Sequence, residues 1–515
     1  MKKENAGLKP RVYALIAVGI AAALCAMFIN QFLFTQKSAE FSPNDKIESV
    51  QDSLAGRLPK VESLIKSTMI SSGMPGLSVA IVHGDQTIYQ SGFGFANLEA
   101  GTKITANTLF QIGSNSKAFT ALAVLQLQQE GLLSVTDPIT KYIPWLKFYY
   151  KGVEAQVTVQ QFLHHTSGVS ANTIASIPQL SGPQALEQTV RILAGTELAH
   201  RPGERYEYAT IGYDVLGLLI EKITGGSYED YMQQNILQPL NLANTKMYQN
   251  NIQPDIYATG YKLRFLAPAA YQAPEYGGNK PAGYILSSAG DMAKWLKIQM
   301  DSVDTGFNGS LIQESHAPNT SAAPFGKEMY YANGWIVYDN HGTEIFHSGS
   351  NPNFSSYIAF RPSEKIGVAV LCNINSVNTS YIGEGVMNIL LQKPQGAAMQ
   401  DARGFFDLVC SFIIIALLFF IARAAYVLLA RMLRIKREQN PSCAVRASKL
   451  AASTAIAVSI GAAVCFLPCL LLGQPWSFLF VWYPFTVEYM VVLAYVSIAL
   501  SYCNALPNCF KPAHK

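Results

Sequence analysis

The segment Phe110-Gln111-Ile112-Gly113-Ser114-Asn115-Ser116-Lys117-Ala118-Phe119-Thr120 sets a serine and a lysine three residues apart. On a helix that spacing puts Ser114 at the start and Lys117 one turn later on the same face. A serine hydroxyl is a poor nucleophile near neutral pH and needs a base beside it. A lysine taken partly out of water can be that base, because burial disfavours its charged form. The N–H groups of a helix start can also stabilise negative charge developing on a substrate oxygen. Ser-x-x-Lys occurs by chance on many surface helices, so the chemistry needs support from the rest of the chain.

That support comes from three later segments. They are Leu163-His164-His165-Thr166-Ser167-Gly168, then Pro202-Gly203-Glu204-Arg205-Tyr206-Glu207-Tyr208-Ala209-Thr210-Ile211-Gly212-Tyr213, then His347-Ser348-Gly349-Ser350. Singly, each has a plain structural explanation. Tyr208 reads as a core aromatic, His164 and His165 as braces of a loop, His347 as a strand-edge residue, and Asn351-Pro352-Asn353 as a turn. In this order and spacing, from Pro75 to Asn375, they resemble the serine β-lactamases of class C, the D-alanyl-D-alanine carboxypeptidases and related esterases. The resemblance implies Ser114 as nucleophile, Lys117 as its base partner, and Tyr208 as a second proton-transfer group from a Tyr-x-Asn element. It implies that His347-Ser348-Gly349 replaces Lys-Thr-Gly on the strand edging the site. The backbone N–H groups of Ser114 and Ser350 would form an oxyanion hole. One departure bears on recognition: Thr210 stands where the element has Asn. A hydroxyl offers one donor against an amide's two, so the substrate should differ while the acyl-transfer groups remain.

Elements that could hold these residues can be read from the apolar pattern. Gly76 to Val82 and Thr87 to Phe95 read as strands around a His83-Gly84-Asp85 turn. Phe119 to Leu133 has helical spacing and ends near Gly131 and Asp137-Pro138. Met329 to Asp339, Glu344 to His347, Ser356 to Arg361 and Ile366 to Cys372 read as late strands, the last two joined by Pro362-Ser363-Glu364-Lys365. Strands at both ends of a mostly helical middle predict an α+β, β-lactamase/transpeptidase-like domain. Its terminal parts would share one antiparallel sheet, flanked by helices and joined to a helical subdomain.

The ends of the chain are of another kind. Of 515 residues half are hydrophobic and only 14% charged, which is apolar for a soluble enzyme. After Lys2, Lys3, Lys9 and Arg11, an apolar run from Val12 to Ile29 reads as a signal peptide or, better, an uncleaved anchor, since Lys37 disfavours cleavage before Ala39. Leu408 to Leu429, Leu450 to Leu472 and Phe478 to Leu500 are three further runs of spanning length. Arg431, Arg434, Lys436, Arg437, Arg446 and Lys449 lie between the first two, against Glu438 alone, whereas Gly473-Gln474-Pro475 is uncharged. The positive-inside rule puts the basic loop and both termini in the cytoplasm and the middle domain outside. The expected organisation is 1–40 as basic tip and anchor, 41–395 as an extracytoplasmic hydrolase, and 396–515 as a membrane domain of three helices. Arg423 can snorkel towards the basic loop, and Glu488, in the outer half of the last run, can pair across the bundle or face water.

Other classes find no footing. The net charge is +4, with no basic cluster interleaved with aromatics, so nucleic-acid binding is not expected. Seven of the eight cysteines lie in or beside the apolar ends and only Cys372 is in the middle, which excludes a disulfide scaffold. No Cys-x-x-Cys or His-Glu-x-x-His occurs, so no metal or cofactor is expected.

A narrower resemblance follows from Ser350-Asn351-Pro352-Asn353-Phe354-Ser355-Ser356, from Tyr208-Ala209-Thr210 with Tyr213-Asp214-Val215-Leu216-Gly217, and from the three-span tail. Together they resemble the colibactin-maturation peptidase and the prodrug-activating peptidases of the xenocoumacin and zwittermicin pathways. That resemblance implies periplasmic removal of an N-acyl-D-asparagine cap from a nonribosomal peptide precursor. Thr210 and Asn351 would contact the D-asparagine, with Asn279, His347 and Gly349 also at the substrate. The relative has Ser at Thr210, His at Asn279 and Glu at Gln111. The implied partners are an acylated peptide small molecule and the lipid bilayer, with room for an exporter of the precursor and a second copy of the chain. The competing functions are a D-alanyl-D-alanine carboxypeptidase or β-lactamase-like cell-wall enzyme, an esterase, and an inactive sensor. Ser114, Lys117 and Tyr208 together argue against the sensor.

Overall fold

The computed structural model describes residues 54–247, 256–301, 303–304, 306–326, 328–339, 342–397, 401–433 and 443–505. The chain divides into Met1–Gly56, almost all of it outside these residues, and one unit over Arg57–Lys515. The run from Val12 to Ile29 and most of the basic loop therefore lie outside the described residues.

In chain order the elements that build the site are α1 (Leu58–Ser72), β1 (Gly76–His83), β2 (Gln86–Asn97), β3 (Thr102–Lys103), α2 (Ser116–Gln129), α3 (Ile211–Thr224), α4 (Ala289–Gln299), β4 (Met329–Tyr331), β5 (Ile336–Asp339), β6 (Thr343–Asn351), β7 (Phe354–Arg361), β8 (Ile366–Cys372) and α5 (Asn378–Leu390). The eight strands form one antiparallel sheet in the order β4-β5-β6-β7-β8-β1-β2-β3. The expected joining of the chain's two ends is direct: β1 pairs with β8, Leu77 opposite Cys372 and His83 opposite Ile366.

The central strands β7 and β8 are buried along their whole length, because helices cover both faces. Gly383 of α5 lies so close that a Cβ there would come within 2.1 Å of the Tyr357 ring. A Cβ on Gly367 would lie 3.1 Å from Leu296 of α4. Tyr357 pairs with Val370, three residues along β8 from Gly367, so the two helices pack on opposite faces. Between the sheet's two halves in sequence lies the helical subdomain. Its central helix α2 is buried over most of its length, and Phe119 stacks on Trp295 of α4 at 4.1 Å between ring centres. The fold is thus the β-lactamase/transpeptidase-like mixture of helix and sheet.

Three boundaries differ from expectation for identifiable reasons. Helix α2 begins at Ser116, and Ser114 sits just before it in a 3-10 turn, Gly113–Asn115. The stretch 329–339 is two strands, because Asn333-Gly334 turns the chain, with Gly334 at φ +82°. Strand β6 runs on to Asn351, and Pro352-Asn353 is the two-residue turn into β7.

The C-terminal helices are α6 (Ala402–Leu433), α7 (Cys443–Leu472), α8 (Trp476–Trp482) and α9 (Phe485–Ala505). The last expected span is therefore broken. Tyr483 is extended, at φ −110° and ψ 169°, because the residue before Pro484 is pushed out of the helical region. Among the described residues two helices are long and apolar enough to cross a membrane, Ala402–Ala430 and Phe485–Ala505, and the apolar part of α7, Leu450–Phe466, is shorter. On the first of these helices Phe419 and Leu429 are more than half exposed, at 59% and 56%. The hairpin Tyr261–Arg264/Ala267–Ala270 anchors this region. Lys262 Nζ donates to Phe480 O at 2.6 Å, and the buried Asp407 carboxylate accepts from Leu266 N and Thr486 Oγ1. Burial lowers the Lys262 ammonium to about 8, partly opposed by the charge of Glu488. Arg423 is exposed.

Candidate active site

The turn that carries Ser114 is held by close backbone approach and by two side-chain hydrogen bonds. Gly113 has φ +54°, and a Cβ on it would come 2.5 Å from Ser350 N. A Cβ on Gly349 would come 2.0 Å from Ile112 O. Only glycine at both positions lets the turn lie flat on the end of β6. Asn115 Nδ2 donates to Ser356 Oγ at 2.7 Å, and Ser356 Oγ donates to Ile112 O at 2.6 Å, which ties the turn to β7 as well. Ser114 is left half-buried with the Ser350 backbone N beside its turn.

Lys117 has no solvent exposure. Its Nζ reaches Ser114 Oγ at 3.2 Å, Thr210 Oγ1 at 3.0 Å and Ala282 O at 2.7 Å. Burial lowers this ammonium to about 7, with Asp214 opposing. Near pH 7 a substantial fraction is then a free amine with a lone pair towards Ser114. The Tyr208 hydroxyl is buried and makes no hydrogen bond of ordinary geometry; the polar side chain it faces is Ser114. Burial pushes this phenol up, so it stays protonated. The Lys117 Nζ lies 5.0 Å from the centre of the Tyr208 ring. The ring is held by His165, 4.2 Å away between centres, whose Nδ1 accepts from Ala209 N. His165 is held at φ +53°, the left-handed region, and burial keeps its imidazole neutral. His164 is also buried, and lowered to about 4. Both act as braces of the loop.

His347 lies on β6, buried, with Nε2 3.2 Å from Tyr331 Oη and Nδ1 2.7 Å from Ser348 O. Burial lowers it to about 3, with Lys117 adding to the shift, so the position carries no charge near neutrality. A cavity of about 170 Å³ opens over Ser114. Tyr208, Thr210, Asn279, Ser350 and Asn351 are its polar lining, so five of the residues singled out in the sequence meet there beside Ser114. Ile174, Ile177, Tyr276 and Trp482 are its apolar lining. Asn279 Nδ2 donates to Asp214 Oδ2 at 2.6 Å. Asn351 Nδ2 donates to Gln111 Oε1 at 2.6 Å and Gly283 O at 2.9 Å, and Gln111 Nε2 donates to Tyr257 Oη at 3.1 Å. His347 and Gly349 are not on the cavity wall; they shape the strand under it.

Among the described residues no group of three His, Cys, Asp or Glu side chains could hold a metal ion. Several parts of the site had no local signal in the sequence. Asn115 and Ser356 are 241 residues apart, and Ala282 O reaches Lys117 across 165. Asp214 reads as an ordinary helix acid, although its i, i+4 relation to Thr210 puts both on the α3 face towards Lys117. Trp482 reads as part of a membrane run.

The sheet, the helical subdomain and the Ser114 cluster together are those of a serine hydrolase of the β-lactamase and penicillin-binding-protein class. The chain belongs to the beta-lactamase family, whose model matches residues 61–385. Over almost its whole length it is similar to protein flp of Staphylococcus aureus, 29% identical over 450 residues, 85% of this chain and 88% of that protein. It is also similar to the unguisins hydrolase ungD of Aspergillus violaceofuscus, 28% identical over 362 residues, 64% of this chain and 63% of that one. Among solved structures, the octameric penicillin-binding protein homologue from Pyrococcus abyssi superposes with a TM-score of 0.60 at 31% identity, over 66% of this chain and 78% of the other. A class C beta-lactamase shares the fold, with a TM-score of 0.56 at 22% identity over 68% of this chain and 100% of the other.

Proposed function

We propose that the protein is a peptidase that cleaves an N-acyl-D-asparaginyl amide, removing the acylated cap of a peptide natural product at the outer face of a membrane. The observation that carries this is a cavity over an acyl-transfer cluster, lined by carboxamide and hydroxyl groups together with large apolar side chains.

Ser114 Oγ attacks the scissile carbonyl and its proton passes to Lys117 Nζ. The oxyanion forms beside the backbone N–H groups of Ser114 and Ser350. When the intermediate collapses, the C–N bond breaks and Tyr208, protonated and facing Ser114, relays a proton to the leaving amine. Water then attacks the acyl-enzyme by the same route in reverse, and Ser114 is restored.

Recognition of a carboxamide needs a donor and an acceptor. Thr210 Oγ1 accepts from Lys117, so its own hydroxyl hydrogen is free to donate to the carboxamide oxygen. An asparagine side chain can offer both kinds of group, but both N–H hydrogens of Asn351 are committed to Gln111 and Gly283, so it offers its oxygen alone. The neutral His347 supplies no cation for a free carboxylate, which weighs against D-alanyl-D-alanine ends and β-lactam acids. The apolar lining suits an acyl chain. One relative is named a hydrolase of unguisins, which supports a hydrolase reading.

The test compares kcat/KM on N-myristoyl-D-Asn, N-myristoyl-L-Asn and N-myristoyl-D-Ala amides with purified full-length protein. The D-Asn amide is expected to lead by at least about a hundredfold, since each buried group left unpaired costs about 1–3 kcal/mol. Equal rates on D-Asn and D-Ala would sink the proposal in favour of a cell-wall enzyme or esterase.

A further inference from the structure

Asp214 is fully buried on α3 and takes no part in the acyl transfer described above. One of its oxygens accepts from Asn279 Nδ2 at 2.6 Å; the other has no partner. A carboxylic group in that place does a specific thing to its neighbour. It binds the nitrogen end of the Asn279 amide and so turns the oxygen end the other way. Gln111 does the same to Asn351, and is itself fixed because its own nitrogen donates to Tyr257. The two amide oxygens then converge. A Cβ built on Gly283, which also lines the cavity, would lie 3.4 Å from Asn351 Oδ1 and 3.8 Å from Asn279 Oδ1. The space above Gly283 is thus faced by two acceptors from side chains whose donors are held by the protein or aimed away from it.

We propose that Asp214 is a positioning residue that, by fixing the amide of Asn279, makes this subsite a double acceptor that selects substrate side chains bearing N–H donors. Such groups are a primary carboxamide or an ammonium. A carboxylate in the same place would meet two oxygens and be excluded, and an alkyl group would leave both oxygens unpaired. This rests on the peptidase proposal for the location of the substrate side chain, and it adds which atoms of that side chain are read and which buried residue sets the polarity.

The experiment uses full-length protein and N-myristoyl amides of four D-residues: Asn, 2,3-diaminopropionate, Asp and Ala. The readout is the ratio of kcat/KM for the donor-bearing pair, Asn and diaminopropionate, over the pair lacking donors, measured within each variant. In Asp214→Leu, which removes the acceptor and frees the Asn279 amide to turn, that ratio is expected to fall by about tenfold or more, with the loss in KM. Asp214→Asn keeps an oxygen for the Asn279 nitrogen and should recover most of the ratio. Asn279→Ala should lose it as Asp214→Leu does, and the double variant should be no worse than either, because the two act as one unit. If Asp214→Leu does not fold, Asn279→Ala and Asp214→Asn still decide. An unchanged ratio in Asn279→Ala, or an Asp214→Asn ratio that falls as far as that of Asn279→Ala, overturns the proposal. A wild type that prefers donor-bearing side chains but not Asn among them would retain this inference and remove the D-asparagine assignment. A wild type indifferent to donors would remove this inference whatever its other preferences.

Discussion

The polar and apolar linings of the cavity are built for different tasks. In the polar lining the backbone itself is the structure. Gly113 and Gly349 bring the Ser114 turn and β6 closer than any side chain would allow, and Lys117 is fixed by three oxygens. Of the apolar lining, Ile174 lies in a 3-10 turn, Ile177 and Tyr276 flank such turns and Trp482 ends α8; the backbone is close here too, a Cβ on Gly277 coming 2.8 Å from Leu180 O, but it holds no reacting group. The first lining holds reacting atoms where small displacements alter the chemistry. The second only has to exclude water and offer apolar area, which tolerates looser placement. Substitutions should therefore act on turnover in the first lining and on affinity in the second.

The largest effects belong to the acyl-transfer cluster. Ser114→Ala should reduce turnover by at least about 10³-fold with the protein still folded. Lys117→Ala and Tyr208→Phe should each cost orders of magnitude. Their double variant should be little worse than either, because they handle one proton path. Independent, multiplicative losses in this cycle would mean that they do not. The pH profile gives the same cluster a second readout. Lys117 must be neutral to accept the serine proton, and burial lowers it to about 7. The rate on the wild type should fall as pH drops below about 7 and level off above it. Stability also rises with pH, but over a higher window. The folded ammonium is depressed below its unfolded value near 10.4, so the unfolded chain binds more protons between about 7 and 10.4 and stability rises across that window. At pH 7 the buried lysine is a burden, and Lys117→Met should raise the unfolding midpoint, by on the order of 5 °C, while abolishing activity.

A smaller but still large effect tests the close approach itself. Gly349→Ala places a methyl group on Ile112 O and 2.3 Å from Ser356 Oγ, and backbone cannot swing aside as a side-chain end can. The expected outcome is about 1–3 kcal/mol of destabilisation by denaturant unfolding, together with a fall in kcat as the Ser114 turn is displaced. A variant of wild-type stability and rate would mean that the turn does not depend on this approach. The position also marks where sequence reading reaches its limit. Ser114, Lys117, Tyr208 and the segment from His347 to Ser350 stood out in the sequence because their order and spacing together resemble a family pattern, where each motif alone reads as ordinary structure. The sheet was legible because β1 and β8 are largely apolar runs bounded by turn residues, and β7 carries Tyr357 to Phe360 between polar ends. The partners that hold the motifs were not. Asn115 with Ser356, and Asp214 with Asn279, are ordinary polar residues until the fold brings them together across 241 and 65 positions. The break before α9 did leave a local sign, Tyr483-Pro484, which the apolar character of the whole run outweighed.

The smallest expected effect lies in the apolar lining, at Trp482. It ends α8, a helix held to the hydrolase by the bond from Lys262 to Phe480 O, and its indole borders the cavity over Ser114. Trp482→Ala removes a large apolar face without touching the proton path. The change should therefore appear in KM, as a rise of about tenfold for a myristoyl substrate, a figure in line with about 25 cal/mol for each Å² of apolar surface that part of the ring covers. It should shrink as the acyl chain is shortened to hexanoyl and acetyl, since a short chain does not reach the wall. Trp482→Phe keeps most of the surface and should stay near wild type. The comparison breaks if Trp482→Ala lowers kcat equally for every chain length. The C-terminal segment would then act on the geometry of the polar lining, and the two linings of the cavity would be one mechanical unit instead of two.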